Sequence, residues 1–198
     1  MIQTLVQNRW LLALCGVLNA AISAVYLIMY DAGPDGPLTL HEWNGTVVFL
    51  SRLAVAAGAC TIASGIWRST KGKSWLLVLN GLALSAYGLI PLLRTGPLSF
   101  DLFAILIVVM AMAIGILALA IARTLRRVAD EWFFALAGSA SIVFALAFLA
   151  LVNRWIQLER RPFHPSVFLW LCVYFGFSAL CMTALALRLR GAGTVGTA

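Results

Sequence analysis

Arg52 has the clearest claim to chemistry in this chain. It stands about 7 residues, or roughly 10 Å at 1.5 Å per residue, inside a long apolar run. A charge within a membrane helix costs about 2.5–3.5 kcal/mol on insertion scales and usually faces a bundle interior or a cavity. Val48, Phe49, Val55, Ala56 and Ala59 surround it at helical spacing, and the two alanines leave that side thin. The pattern predicts an outward-open polar pocket in which Arg52 pairs with an acid. Asp101, at the outer start of the fourth apolar run, is the first partner to consider, followed by Glu42 and Glu159. The plainer alternatives are a guanidinium that climbs to the headgroups, or a structural ion pair.

His41 and His164 both flank apolar runs on the same, outer side. Histidine changes charge between pH 5 and 8, so the pair could sense external acid. With Glu42 or Asp101 as a third ligand the pair could also hold a metal. The simplest reading is two loop histidines, with no metal and no other cofactor. Enzyme signatures are missing: there is no HExxH, no GxSxG, no P-loop and no pair of intramembrane carboxylates. The sequence therefore predicts a non-enzymatic protein. Ser51, Ser64, Ser139, Ser141 and Ser178 read as interhelical hydrogen bonders. The first, third, fifth and sixth apolar runs contain no Asp, Glu or His, which argues against a proton-coupled transporter. Cys15, Cys60, Cys172 and Cys181 all fall in apolar segments without metal-like spacing and read as small buried hydrophobes.

The elements that must position these residues are membrane helices. The 198 residues are 63% hydrophobic and 11% charged, against about 25% charged in a soluble domain. Six apolar runs, at about 10–30, 45–67, 75–93, 99–122, 132–153 and 167–187, are each long enough to cross a hydrocarbon layer of roughly 30 Å. Backbone groups cannot stay unpaired in lipid, so the runs must be helical and the fold class all-α. The net charge of +7 does not point to nucleic acid, because the basic residues sit at the ends of apolar runs. The expected partner is the lipid bilayer.

Charge asymmetry sets the orientation. Arg9, Arg68, Lys71, Lys73, Arg123, Arg126, Arg127, Arg188 and Arg190 lie on one side; Arg94, Arg154, Arg160 and Arg161 lie on the other. The positive-inside rule then places both termini in the cytoplasm. Asp31, Asp35, Glu42, Asp101 and Glu159 collect on the outer side, in part within the turn-rich stretch 31–37 and the longer polar loop 154–165. Trp10, Trp67, Trp75 and Trp132 fall near the cytoplasmic interface, and Trp43 and Trp155 near the outer one, as an aromatic belt does.

The odd runs share an opening. Trp10 to Gly16, Trp75 to Gly81 and Trp132 to Gly138 match position by position as W-x5-G. Each opens a helical hairpin that returns to a basic end at Arg68, Arg123 or Arg188, with a small residue ten positions earlier at Gly58, Ala113 or Ser178. The reading is one membrane domain over 1–198, built of three tandem parallel hairpin repeats at about 9–68, 74–123 and 131–190, with 191–198 as a flexible tail. Small residues at spacings of three and four form packing ridges: Gly16, Ala20 and Ser23; Gly81, Ser85 and Gly88; Gly138, Ser141 and Ala145.

The tandem hairpins, the W-x5-G openings and the short basic turns resemble the HdeD family of small bacterial inner-membrane proteins, over about residues 9–190. That resemblance implies an inner-membrane protein associated with acid resistance. It carries no catalytic residues across. The acidic first outer loop and the 154–165 loop are elaborations on the family pattern. Three functions follow as expectations. One is a stress-response protein whose outer face is pH-responsive. Another is a small transporter or channel for a neutral or anionic solute that uses Arg52. The last is an accessory subunit of a larger membrane complex; a homo-oligomer or such a complex is the expected protein partner.

Overall fold

The computed structural model describes six helices: α1 (Arg9–Asp31), α2 (Leu40–Ile66), α3 (Trp75–Leu93), α4 (Phe100–Leu125), α5 (Glu131–Leu158) and α6 (Pro165–Val195). At 40–44, 100–101, 124–125, 131, 154–158, 165–166 and 189–195 it describes the backbone alone. Among the described residues there is no strand. All six helices contain a stretch long and apolar enough to cross a membrane, and the chain is a multi-pass, all-α membrane protein. The shortest is α3, with 19 residues, or about 28 Å. Pro91 lies inside its last turn; the missing N–H and the ring's clash with the preceding turn favour an end there.

Three helices run past the lengths expected from hydropathy. The second starts at Leu40 and takes in His41, Glu42 and Trp43, which the sequence reading placed just before it. The fifth runs to Leu158, so Arg154 and Trp155 are helical and not the start of a loop. The sixth opens on Pro165, where a missing N–H costs nothing, and runs to Val195, into the stretch expected to be a flexible tail. Hydropathy marks where lipid begins and ends. The i to i−4 ladder can continue into water, which is why helix length exceeds span length.

Neighbouring helices run antiparallel around a closed ring, α1 to α6 and back to α1, and among the described residues the backbones come close only between ring neighbours. We call the end where α1, α3 and α5 begin the proximal face, and the other end the distal face. The most extensive packing joins α2 to α3, α6 to α1 and α4 to α5; the seam between α5 and α6 is the slightest. The close pairs therefore straddle the sequence hairpins. Side chains from all six helices fill the ring: Tyr26, Leu50, Tyr87, Ile107, Phe148 and Phe175 meet in one buried cluster. A second buried cluster, with Leu12, Leu77, Ile121, Phe134 and Leu185, closes the proximal end. The ring's outside is apolar, with Val17, Ile28, Val109, Val143 and Leu180 all exposed, as a lipid-facing surface must be.

Candidate functional site

The interior polar groups are the chemistry this fold positions, and most of them bond one helix to itself or to a neighbour. On α1, Asn19 Nδ2 donates to the Cys15 carbonyl oxygen at 2.9 Å and approaches Cys15 Sγ at 3.4 Å. Cys15 Sγ lies 3.4 Å from Thr61 Oγ1 on α2. The Thr61 hydroxyl donates to the Ala57 carbonyl at 2.9 Å, so Cys15 S–H is the donor to Thr61. Further toward the distal face the Tyr26 and Tyr87 hydroxyls meet at 3.1 Å, tying α1 to α3 across the ring. Ser141 on α5 donates to the Ala111 carbonyl of α4 at 3.0 Å and meets the Tyr174 hydroxyl of α6 at 2.7 Å. Ser23 donates to the Cys172 carbonyl at 2.8 Å, between α1 and α6.

Small residues let the close pairs form. A methyl group added at Gly81 would meet the Gly58 carbonyl oxygen at 2.7 Å; one added at Gly138 would meet the Gly115 carbonyl oxygen at 2.8 Å. At Gly16 it would meet Thr183 Oγ1 at 2.6 Å and the Ala179 carbonyl oxygen at 3.3 Å. Gly88 sits against the backbone of Ser51, and Ser85 against Gly58. The residues opposite the odd-helix glycines are thus Gly58, Gly115 and Ala179. Ala113 and Ser178, the small residues ten positions before two of the basic ends, are not among the atoms nearest these glycines. The basic ends do not share a register with the crossings.

Arg52 is exposed on the outside of the ring, in line with Phe49, Ala56 and Ala59. The centre-facing stripe of α2 is Val47, Leu50, Ala54, Ala57, Thr61 and Ser64, all buried. Arg52 lies seven residues from Gly45, the start of the span, so its Cα is about 10 Å deep. Helical side chains lean toward the helix N-terminus, which for α2 is the nearby distal face. A side chain at this position therefore leans toward the distal end of α2. Two lipid-side grooves are lined by other residues. One of about 530 Å³ lies between α4 and α5, walled by Ala104, Ile105, Val108, Leu146 and Leu149. One of about 350 Å³ lies between α1 and α6, beside Arg9, Trp10 and Thr183.

Of the other expected site residues, Glu42 and His41 lie in the first turn of α2 and Asp101 in the first turn of α4, with their side chains outside the described residues. Glu159 and His164 lie outside the described residues altogether. The four cysteines are free thiols. Among the described residues no group of three or more His, Cys, Asp or Glu side chains could hold a metal ion. The sequence reading passed over Asn19, Asn80, Tyr26, Tyr87 and Tyr174, all buried. An amide or phenol inside an apolar run was the available signal, since such groups need partners in lipid. No family description, curated protein or solved structure matches the chain.

Proposed function

We propose that this is a non-enzymatic protein of the bacterial inner membrane, with both termini cytoplasmic, that acts in acid or envelope stress as the resemblance to the HdeD family implies. The observation that carries this reading is the filled ring. Bulky side chains from six helices occupy the centre, and the Tyr26–Tyr87 and Ser141–Tyr174 hydroxyl pairs there join helix to helix. Such a body acts through its two membrane faces and its rim. The distal face, with His41, His164 and a group of acids, gains positive charge as external pH falls and biases a partner or headgroup interaction. The test is acid survival in a strain that depends on this chain, carrying the native protein or the double variant His41→Gln, His164→Gln. The expected result is loss of survival in the double variant at unchanged membrane abundance. Survival equal to native would overturn the pH-responsive part, and a deletion without an acid phenotype would overturn the stress reading.

The transporter reading draws no support from Arg52, which lies on the ring's outside. That same position favours a second reading, a homo-oligomer or a subunit of a larger membrane complex, because Arg52 stands beside the thin surface of Ala56 and Ala59. Disulfide trapping of an Ala56→Cys variant in native membranes tests it. A trapped dimer or adduct supports the complex, and a monomer under full oxidation removes this face from consideration.

A further inference from the structure

Asn80 lies on the inner side of α3 with 7% of its surface exposed. Its Oδ1 accepts no hydrogen bond from any described residue. A buried acceptor left without a donor is costly, and buried polar groups without a protein partner are normally met by an internal water. The surroundings of Asn80 decide what kind of partner fits.

Asn80 is five residues into α3, Cys15 is six residues into α1, and Thr61 is five residues before the end of α2. All three therefore stand on the order of 8 Å from the proximal ends of their helices, and all three are buried. Asn19 reaches the same level by bonding back to Cys15. Together they make a polar layer in an otherwise apolar bundle. Below it lies the proximal cluster of Leu12, Leu76, Leu77 and Phe134; above it lies the main cluster that includes Ile22, Leu84 and Ile107.

The donors that Cys15, Asn19, Thr61 and Ser64 bring to this layer are already committed. The Thr61 hydroxyl goes to Ala57, the Ser64 hydroxyl goes to the Thr61 carbonyl at 2.7 Å, the Asn19 amide goes to Cys15, and the Cys15 thiol goes to Thr61. None of them turns to Asn80, whose Oδ1 is left without a donor among the described residues. The layer therefore calls for a small, uncharged hydrogen-bond donor, and water is the smallest molecule that supplies one. We propose that Asn80 binds a resident water molecule in this polar layer, sealed from both membrane faces by the two apolar clusters. The water donates to Asn80 Oδ1. Because the clusters must part before it can leave, it exchanges slowly with bulk water. This inference is independent of the stress reading above.

The test uses the full chain in lipid nanodiscs with ¹⁵N-labelled asparagine. Cross-peaks between water and the assigned Asn80 side-chain amide are recorded in laboratory- and rotating-frame experiments. A slowly exchanging water gives cross-peaks of opposite sign in the two frames at Asn80, whereas the exposed Asn153 shows only the weak signature of fast surface water. Absence of any water cross-peak at Asn80, with the Asn153 control behaving as stated, overturns the proposal. So does an experimental structure fine enough to place waters in which a protein donor has turned onto Oδ1. Water density within about 3.2 Å of Oδ1 in that structure supports it.

Discussion

The α2–α3 crossing and the α5–α6 seam join the same kind of helix by opposite means. At the crossing, Gly58 and Gly81 bring backbone against backbone, and Gly88 rests on the Ser51 backbone one to two turns further along. At the seam the contact is made by rings and by the Ser141–Tyr174 hydroxyl pair at 2.7 Å. Phe144 stacks on Tyr174 at 4.3 Å and tilts against Trp170 at 6.4 Å, while the Arg188 guanidinium lies 5.0 Å from the Phe133 ring centroid. Lipid tails are as apolar as leucine, so no hydrophobic force favours one helix over lipid as a neighbour. Association must come from close contact and hydrogen bonds. Glycine permits contact along a whole helix face; rings reach across a gap that the backbones do not close. The crossing is therefore the rigid joint of the ring and the seam its compliant one.

The strongest way to break this contrast is to fill the crossing. Gly81→Leu places a side chain where even a methyl group would meet a carbonyl oxygen at 2.7 Å. Overpacking typically costs about 1–3 kcal/mol and occasionally more, and here the obstacle is backbone that cannot turn aside. The expected outcome is loss of the folded monomer on purification in mild detergent, read as aggregation or as loss of a cooperative melt. Gly45→Ala is the control: nothing lies within 4 Å of the added carbon, so its midpoint should stay near native. A Gly81→Leu protein that melts like native would show that the α2–α3 crossing is not a rigid joint.

The seam should yield less. Phe144→Leu removes two cross-seam ring contacts while keeping most of the buried volume; each contact is worth about 0.5–1.5 kcal/mol, so about 1–3 kcal/mol in all. The protein should still fold, with a lower midpoint in SDS titration and faster disulfide trapping between cysteines placed at distal positions on α5 and α6. A cost above that of Gly81→Leu would reverse the ranking of the two joints.

The contrast also explains how much could be read in advance. Six spans were legible because lipid fixes their length and forbids unpaired backbone, and the exposed Trp10, Trp75 and Trp132 stand where the helices enter. The glycines of the W-x5-G openings were legible as packing residues. Their partners were not, because spacing along one helix says nothing about which helix lies opposite. The sequence joins α1 to α2 in a hairpin, yet Gly16 lies against α6. Arg52 shows the same limit. Its depth follows from counting residues, but its direction depends on which faces of α2 are taken by the centre and by α3. Asn80 was passed over because one amide in an apolar run looks minor until its oxygen is found without a partner.

The smallest effect separates glue from packing. Tyr26 on α1 and Tyr87 on α3 are not ring neighbours, yet their hydroxyls meet at 3.1 Å and link two of the close pairs across the centre. Interhelical hydrogen bonds in membranes average about 0.6 kcal/mol by double-mutant cycles. Tyr87→Phe removes one hydroxyl and leaves the Tyr26 hydroxyl buried with nothing to bond, which adds a desolvation cost to the lost bond. Tyr26→Phe with Tyr87→Phe removes both and leaves no orphan. The double variant should therefore melt closer to native than either single variant, which requires a coupling larger than either single cost and above the average of about 0.6 kcal/mol. Simple additivity would mean that each hydroxyl has found another partner. The centre would then be held by ring stacking such as Tyr26 on Phe175 at 5.8 Å, and would belong with the compliant seam and not with the glycine crossings.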